Sequence, residues 1–339
     1  MFIKATISKL VSNQNISLED SMAVMTEIME GNVTDAQIAS FITALRMKGE
    51  TAEEITGCAL AMRKKAIKIR AEEGVVIDTC GTGGDAKNTF NISTAAAFVV
   101  AGTGLRVAKH GNKASSSQCG SADVLKQLGI NIEADVKMVE RCIREANIGF
   151  LFAPMLHQAM KYAIGPRKEI GIRTVFNILG PLANPADATH RILGVYSEHL
   201  TIIMAEALQR LGDRHAFVVH GLDGMDEITI TDKTKVCELV GNTIKSYYLN
   251  PEDFGIKKSK LSELLVNTPD ESSQAIKEVL DGIQSPKRDV VLLNAAAAII
   301  AGGLAKDFME GLKIAAQSID SGSAKDKLRK LQEISWESL

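Results

Sequence analysis

Three glycines fall within four positions in Gly81-Thr82-Gly83-Gly84, followed by Asp85, directly after the short apolar run Val75-Val76-Ile77. Glycine at that density lets the main chain take positive φ and approach a ligand closely, and successive N–H groups on such a turn form a concave anion site. A plain tight turn uses the same residues. The loop is not G-x-G-x-x-G, and it lacks the Lys-Ser or Lys-Thr of a P-loop. Just downstream, Asn91-Ile92-Ser93-Thr94 opens an apolar stretch, placing hydroxyls and the free N–H groups of a helix start beside the loop. An ordinary Ser or Thr cap looks alike. A hydroxyl there also suits magnesium next to a phosphate. A second polar loop, Lys109-His110-Gly111-Asn112-Lys113 and on through Ser115 to Asp123, offers a cation, an amide and, at Ser121, another helix start. Adjacent Asp226 and Glu227 are oxygen ligands for a hard cation, or a solvated surface pair. Arg167 has the fork that clamps a carboxylate. The turn Gly180-Pro181-Leu182-Ala183-Asn184-Pro185 is rigid by its own chemistry and needs no ligand to explain it. Together these residues reach as far as a magnesium-assisted site for a small phosphorylated molecule.

The elements that must position these loops change character along the chain. The first seventy residues read as helices only: Ile3, Ile7, Leu10 and Val11 keep helical spacing. Capping patterns at Ser17/Asp20, Thr34/Gln37 and Thr51/Glu54 each precede an amphipathic stretch, and Gly31 and Gly49 stand where helices stop. Beyond Arg70 short apolar runs alternate with helical ones. Strands are expected at 75–77, 107–109, 148–152, 192–195 and 216–219, and helices from about Ser93, Ser121, Asp135 and after Pro154. Strands separated by helices imply parallel pairing with right-handed crossovers. Ile228 to Ile230, Val236 to Val240 and Ile244 to Tyr248 read as further strands outside that rhythm, and the last fifty residues as helices. In such sheets ligands bind at the carboxyl ends of the strands, where the glycine-rich loops fall.

Composition bounds the function. With 339 residues, 45% hydrophobic and 24% charged, the chain is an ordinary globular one with room for two domains. Its 39 basic and 41 acidic residues leave a net charge of -2, which argues against a dedicated nucleic-acid binder. Five cysteines without a C-x-x-C pair argue against a disulfide framework or zinc site and for a reducing cytoplasm. No apolar run reaches the roughly 18 residues of a membrane span. The richest, Val290 to Ala301, is broken by Asn294 and reads as a buried helix.

Taken in order, the loops resemble those of the anthranilate phosphoribosyltransferase family. Gly81 to Asp85 with Thr89-Phe90-Asn91-Ile92-Ser93-Thr94 is similar to the family's first phosphoribosyl pyrophosphate (PRPP) loop. Lys109-His110-Gly111-Asn112 with Gly120-Ser121-Ala122-Asp123 is similar to its second. Arg173-Thr174-Val175-Phe176-Asn177-Ile178-Leu179-Gly180-Pro181-Leu182-Ala183-Asn184-Pro185 is similar to a third shared stretch, and Asp226-Glu227 falls where the family binds metal. The resemblance covers the whole chain.

It implies an α/β protein: a small all-helical N-terminal domain over residues 1–70, joined by helices from about 170–190, and a larger α/β domain over residues 71–339. The larger domain has a mostly parallel central sheet flanked by helices, as in nucleoside phosphorylases. It also implies a homodimer formed through the small domains, with substrates meeting in the cleft between domains. Gly81, Gly83, Gly84, Asp85, Thr89, Asn91, Ser93, Thr94, Lys109 and Ser121 are implied to hold PRPP, and Ser93, Asp226 and Glu227 to hold Mg2+. Gly81, His110, Asn112, Pro154, His157, Tyr162, Arg167 and Gly180 are implied to bind anthranilate or line its route, and no carboxylate stands out as an obligatory general base. Three positions depart from the pattern: Ala86 stands where glycine is expected, and Lys113 and Gln118 stand where the family commonly carries other residues. Two other readings remain at this point, a pyrimidine nucleoside phosphorylase and a non-catalytic relative that binds nucleic acid.

Overall fold

Helix starts in the N-terminal unit follow from the capping residues. In the computed structural model, which describes residues 2–71, 74–113 and 119–337, the helices are α1 (Phe2–Val11), α2 (Leu18–Met29), α3 (Asp35–Lys48) and α4 (Ala52–Lys65). The Ser17 side chain caps α2, and Thr34/Gln37 and Thr51/Glu54 close reciprocal boxes on α3 and α4. Glu54 does more than cap. It is fully buried, accepts from the N–H of Ile16 at 3.0 Å, and pairs with Lys48 at 3.0 Å, which pins the α1–α2 connection. Helices α2 and α4 touch through Gly57, where a Cβ would lie 2.2 Å from Ser21 Oγ, so only glycine allows that approach.

The rest of the chain runs β1 (Val76–Gly81), α5 (Ile92–Gly102), β2 (Arg106–Gly111), α6 (Ser121–Gln127), α7 (Val136–Ala146), β3 (Ile148–Phe152) and α8 (Ala153–Leu156). Then come α9 (Lys161–Ile170), α10 (Phe176–Leu179), β4 (His190–Gly194), α11 (Leu200–Arg210), β5 (His215–Gly221), β6 (Thr234–Val240) and β7 (Thr243–Leu249). Four helices finish it: α12 (Pro269–Leu280), α13 (Pro286–Ala301), α14 (Phe308–Asp320) and α15 (Ser323–Ser335).

The seven strands form one sheet in the order β3-β2-β1-β4-β5-β6-β7. The first five are parallel, and β6 and β7 add an antiparallel hairpin at the edge. From β1 the chain builds outward through β2 and β3, then returns to place β4 on the other side of β1. The crevice at that reversal, beyond the carboxyl ends of β1 and β4, is where open parallel sheets bind ligands.

One face of the sheet carries α5 and α13, whose Ala-rich stretches at 95–97 and 295–298 are fully buried and let the helices pack closely. On the other face, α11 lies on β5 and β6 and also against α4 of the helical unit. Helix α9 packs on α2 and α3, and α10 on α4. Contact with the helical unit therefore begins with α9 at Lys161, ahead of the helices from about 170–190 that the resemblance implies, and Ala163 lies in the unit's apolar cluster.

Ile228 to Ile230 is not a strand, contrary to the expectation from its alternating Ile-Thr-Ile pattern. Its backbone is paired by a side chain instead: Asn294, buried in α13, accepts from the N–H of Ile228 at 3.0 Å and donates to the Ile228 carbonyl at 2.8 Å. The polar interruption in the apolar helix thus serves as a surrogate strand for the segment that follows Asp226 and Glu227.

Candidate active site

All five parallel strands end at one cavity of about 330 Å³, in the range of small-molecule sites. It is walled by Gly81 to Asp85 after β1, Gly111 to Lys113 after β2, Ala153 after β3, Tyr196 after β4 and Asp226-Glu227 after β5. The linker from the helical unit closes it with Arg167, Arg173, Asn177 and Gly180.

Two glycines make room for the acidic pair. Gly81 and Gly194 are register partners at the ends of β1 and β4. A Cβ on Gly81 would lie 2.5 Å from Asp226 Oδ2, and one on Gly194 would lie 1.6 Å from the Asp226 carbonyl oxygen. Seated there, Asp226 Oδ2 accepts from the Gly83 N–H at 2.8 Å, and Glu227 Oε1 accepts from the Ser93 N–H at the start of α5 at 3.2 Å. Burial, then the charge of Asp85, pushes the Asp226 carboxyl up to about 7. Burial and then Asp226 push Glu227 well above the usual carboxylate range, with Lys109 opposing. Among the described residues no three His, Cys, Asp or Glu side chains converge to chelate a metal. Two crowded carboxylates beside the Ser93 hydroxyl nonetheless fit a hard cation that takes most of its ligands from phosphate and water.

The glycine loop divides its N–H groups. Thr82 N–H donates to the Gly194 carbonyl at 2.8 Å and Gly83 N–H to Asp226, whereas the N–H groups of Gly84 and Asp85 have no protein acceptor among the described residues. Gly83 and Gly84 have φ of +65° and +81°. Ala86, where the family pattern has glycine, sits at φ +56°, a left-handed conformation that costs a non-glycine residue about 1–2 kcal/mol. Asn91 is the N-cap residue of α5 without capping it; its amide oxygen accepts from Ser272 Oγ at 2.7 Å instead. Lys109 is buried, with Nζ donating to the Thr79 carbonyl and to Ser93 Oγ at 3.3 Å. Burial lowers its pKa, and the Asp78 charge opposes that.

The Gly180 turn is held from several elements at once. His110 Nδ1 donates to the Gly180 carbonyl at 3.0 Å, Arg191 Nη1 to Pro181 at 2.6 Å, and Arg63 Nε of α4 to Leu182 at 2.6 Å. Asn184 donates to Asp78 Oδ2 at 2.7 Å and to the Ala108 carbonyl at 2.8 Å, while Asp78 Oδ1 accepts from the His110 N–H. The His110 ring is buried and its pKa is pushed down to about 4 by desolvation, so it is neutral at physiological pH, with its proton on Nδ1. Its Nε2 has no hydrogen-bond partner among the described residues. Arg167 is half-buried with its guanidinium over the Phe176 ring at 5.0 Å, and no carboxylate among the described residues pairs with it. Burial lowers its pKa, which leaves it a cation in want of an anion.

Four expected site residues do not wall the cavity. Thr94 is fully buried one turn into α5. Pro154 is exposed on α8. His157 is buried against His110, the rings tilted at 52° with centroids 5.1 Å apart, and burial drives its pKa down to about 3. Tyr162 packs on the turn after α2, where its ring leaves no space for a side chain at Gly31. Gly81, Gly83, Gly84, Asp85, Thr89, Asn91, Ser93, Lys109, His110, Asn112, Ser121, Arg167, Gly180, Asp226 and Glu227 do wall it. Lys113 lies there too, its Nζ 5.8 Å above the Phe152 ring, and Gln118 falls outside the described residues. Sequence reasoning assigned no role to Arg173, Tyr196 or Gly194. The basic residue beside the Thr-Val-Phe-Asn stretch was the one available signal for Arg173.

A helical bundle set on an α/β sheet, with a glycine-rich loop and an acidic pair at the strand ends, is the arrangement of a glycosyltransferase of the pentosyl-transferring class. Residues 4–66 match the glycosyl transferase family helical bundle domain, and residues 73–325 its a/b domain. The anthranilate phosphoribosyltransferase of Pelotomaculum thermopropionicum is 53% identical over 98% of this chain and 96% of its own. The crystal structure of the Thermus thermophilus enzyme of that name superposes with a TM-score of 0.93 at 38% identity, over 98% of this chain and 99% of that one. The Saccharomyces cerevisiae enzyme in complex with PRPP and Mg gives 0.88 at 33%, over 98% and 97%. The chain belongs to the anthranilate phosphoribosyltransferase family.

Proposed function

We propose that this enzyme transfers the phosphoribosyl group of PRPP to the amine of anthranilate, giving N-(5-phosphoribosyl)anthranilate and pyrophosphate, as a step of tryptophan biosynthesis. The observation that carries the reading is the division of one cavity into two anion sites of different kind. One is the set formed by the N–H groups of Gly84 and Asp85, which have no protein acceptor among the described residues, the start of α5, Lys109 and the acidic pair. The other is Arg167, half-buried, without a carboxylate partner among the described residues and backed by an aromatic ring. A polyphosphate suits the first and a small aromatic carboxylate the second.

The amine attacks ribose C1 as pyrophosphate departs, with inversion and through a transition state of oxocarbenium character, so no protein nucleophile is required. Gly81, Gly83, Gly84, Asp85, Thr89, Asn91, Ser93 and Ser121 hold the donor, and Lys109 adds positive charge from beneath. Asn112 and Arg167 orient the acceptor, and neutral His110 and Gly180 wall its side. When bound by Asp226, Glu227 and Ser93, magnesium supplies charge that stabilises the leaving pyrophosphate. The remaining contribution is alignment of the two reactants.

No helix among the described residues is long and apolar enough to cross a membrane. All five cysteines are free thiols, which suits the cytoplasm. Exposed apolar Phe2, Val11 and Met47 on α1 and α3 support a homodimer joined through the helical units.

Anthranilate fluorescence tests the reading. Its loss should require enzyme, PRPP and magnesium together; failure with folded protein would overturn the proposal and direct the search to thymidine with phosphate. Arg167→Ala should raise the KM for anthranilate about 10- to 100-fold, the value of one charge-assisted contact. The KM for PRPP should stay nearly constant, and equal effects on both would refute the carboxylate assignment.

A further inference from the structure

The geometry points to Arg173 as a positioning residue for the donor: it fixes, from the linker side, the peptide plane that aims the free N–H of Asp85. This rests on the proposed phosphoribosyl transfer. Arg173 lies between α9 and α10, outside regular structure, on the segment that returns from the helical unit. It is exposed toward the cavity, where a long side chain ordinarily samples many rotamers. Here it is held on two sides. Its Nη2 donates to the Gly84 carbonyl, and its guanidinium lies over the Tyr196 ring, 4.6 Å from the centroid. No carboxylate among the described residues pairs with it. Tyr196 is itself tied to the loop, its N–H donating to Thr82 Oγ1 at 3.2 Å.

The consequence follows from peptide geometry. Carbonyl and N–H point to opposite sides of a trans peptide, so a donor that fixes the Gly84 oxygen also fixes the direction of the Asp85 N–H. Gly84, at φ +81°, has no Cβ to restrict its plane. The first two N–H groups of the loop are already consumed by Gly194 and Asp226; the next two, Gly84 and Asp85, are the anion donors, and Arg173 sets the second. The linker that carries Arg167 for the acceptor therefore also carries the clasp that shapes the donor loop.

Arg173→Ala should raise the KM for PRPP about tenfold, as expected for loss of one charge-assisted hydrogen bond, and leave the KM for anthranilate within about twofold. Arg173→Lys, which can still donate to Gly84 but cannot stack flat on Tyr196, should recover part of the loss. Tyr196→Leu should reproduce part of it, and the double variant should fall short of the product of the two single effects. PRPP binding without anthranilate, read by calorimetry in magnesium, should weaken about tenfold in Arg173→Ala while the thermal midpoint stays unchanged. A PRPP KM within twofold of wild type, or an increase confined to anthranilate, would overturn the assignment. Wild-type enzyme assayed alongside separates this from failure of the transfer reading, and the calorimetric measurement needs no turnover.

Discussion

Gly194→Ala is expected to reduce kcat/KM by about 100-fold or more, although residue 194 need not touch either substrate, because misplacement of catalytic groups by an ångström has that scale. The new Cβ would start 1.6 Å from the Asp226 carbonyl oxygen, which must retreat by about 1.4 Å to reach the 3.0 Å that real contacts keep. The strand end cannot yield instead. Gly194 is locked in register with Gly81 on one side and Val219 on the other, and its carbonyl holds the Thr82 N–H. The acidic pair must therefore move away from the glycine loop, breaking the bonds from Asp226 to Gly83 and from Glu227 to Ser93. Overpacking of this kind also costs about 1–3 kcal/mol of stability. Steady-state kinetics with a urea titration distinguishes the two effects; a soluble variant with kcat/KM within tenfold of wild type would show that the loop accommodates the methyl.

Asp226→Asn is the second large effect. The amide keeps the shape and an oxygen to accept from Gly83 N–H, so the fold survives while one negative charge is lost. Activity should fall about 100- to 1000-fold, the usual scale for losing one element of transition-state charge stabilisation. The pH dependence carries a sign. Asp226 has its carboxyl raised to about 7 in the folded chain, against an unfolded value near 4. The contribution of this group to the stability of the cation-free protein is therefore full below about pH 4 and is lost as the pH rises toward 7. Relative to wild type, the Asn variant should gain stability across that window and level off above it. Thermal midpoints at pH 5 and 8 in EDTA check this, and parallel curves for the two proteins would remove Asp226 as the source.

What the sequence made legible was local. Capping boxes act over three residues, and the glycine-rich and Lys-His-Gly-Asn loops each carry their chemistry in a few adjacent positions, so both could be read before any contact was known. What stayed hidden depends on residues far apart in the chain. Asn184 and Asp78 are 106 positions apart, Gly83 and Asp226 are 143, and Arg173 reaches back 89 to Gly84. No period marks Gly194 as the seat of an aspartate, because its need for a bare Cα arises only once β5 and its loop lie over β4. Ile228 to Ile230 misled for the converse reason: the alternation was present, but the partner was an asparagine side chain on a helix. Tyr162 stands in the right stretch of chain for a substrate route, yet its ring is spent on the Gly31 turn.

The apolar layer shared by the helical unit and the sheet has a consequence for how the molecule comes apart. One continuous cluster runs from Ile3, Phe41 and Ile55 through Leu179 and Leu208 to Val218 on β5. The helical unit has no separate interior to retreat into. Detaching it would wet that entire layer and strand the half-buried Arg63, whose guanidinium donates to carbonyls of the Gly180 turn and of α11's end. The two family domains should therefore melt together in one calorimetric transition, and residues 1–70 made alone should lack a cooperative transition of their own.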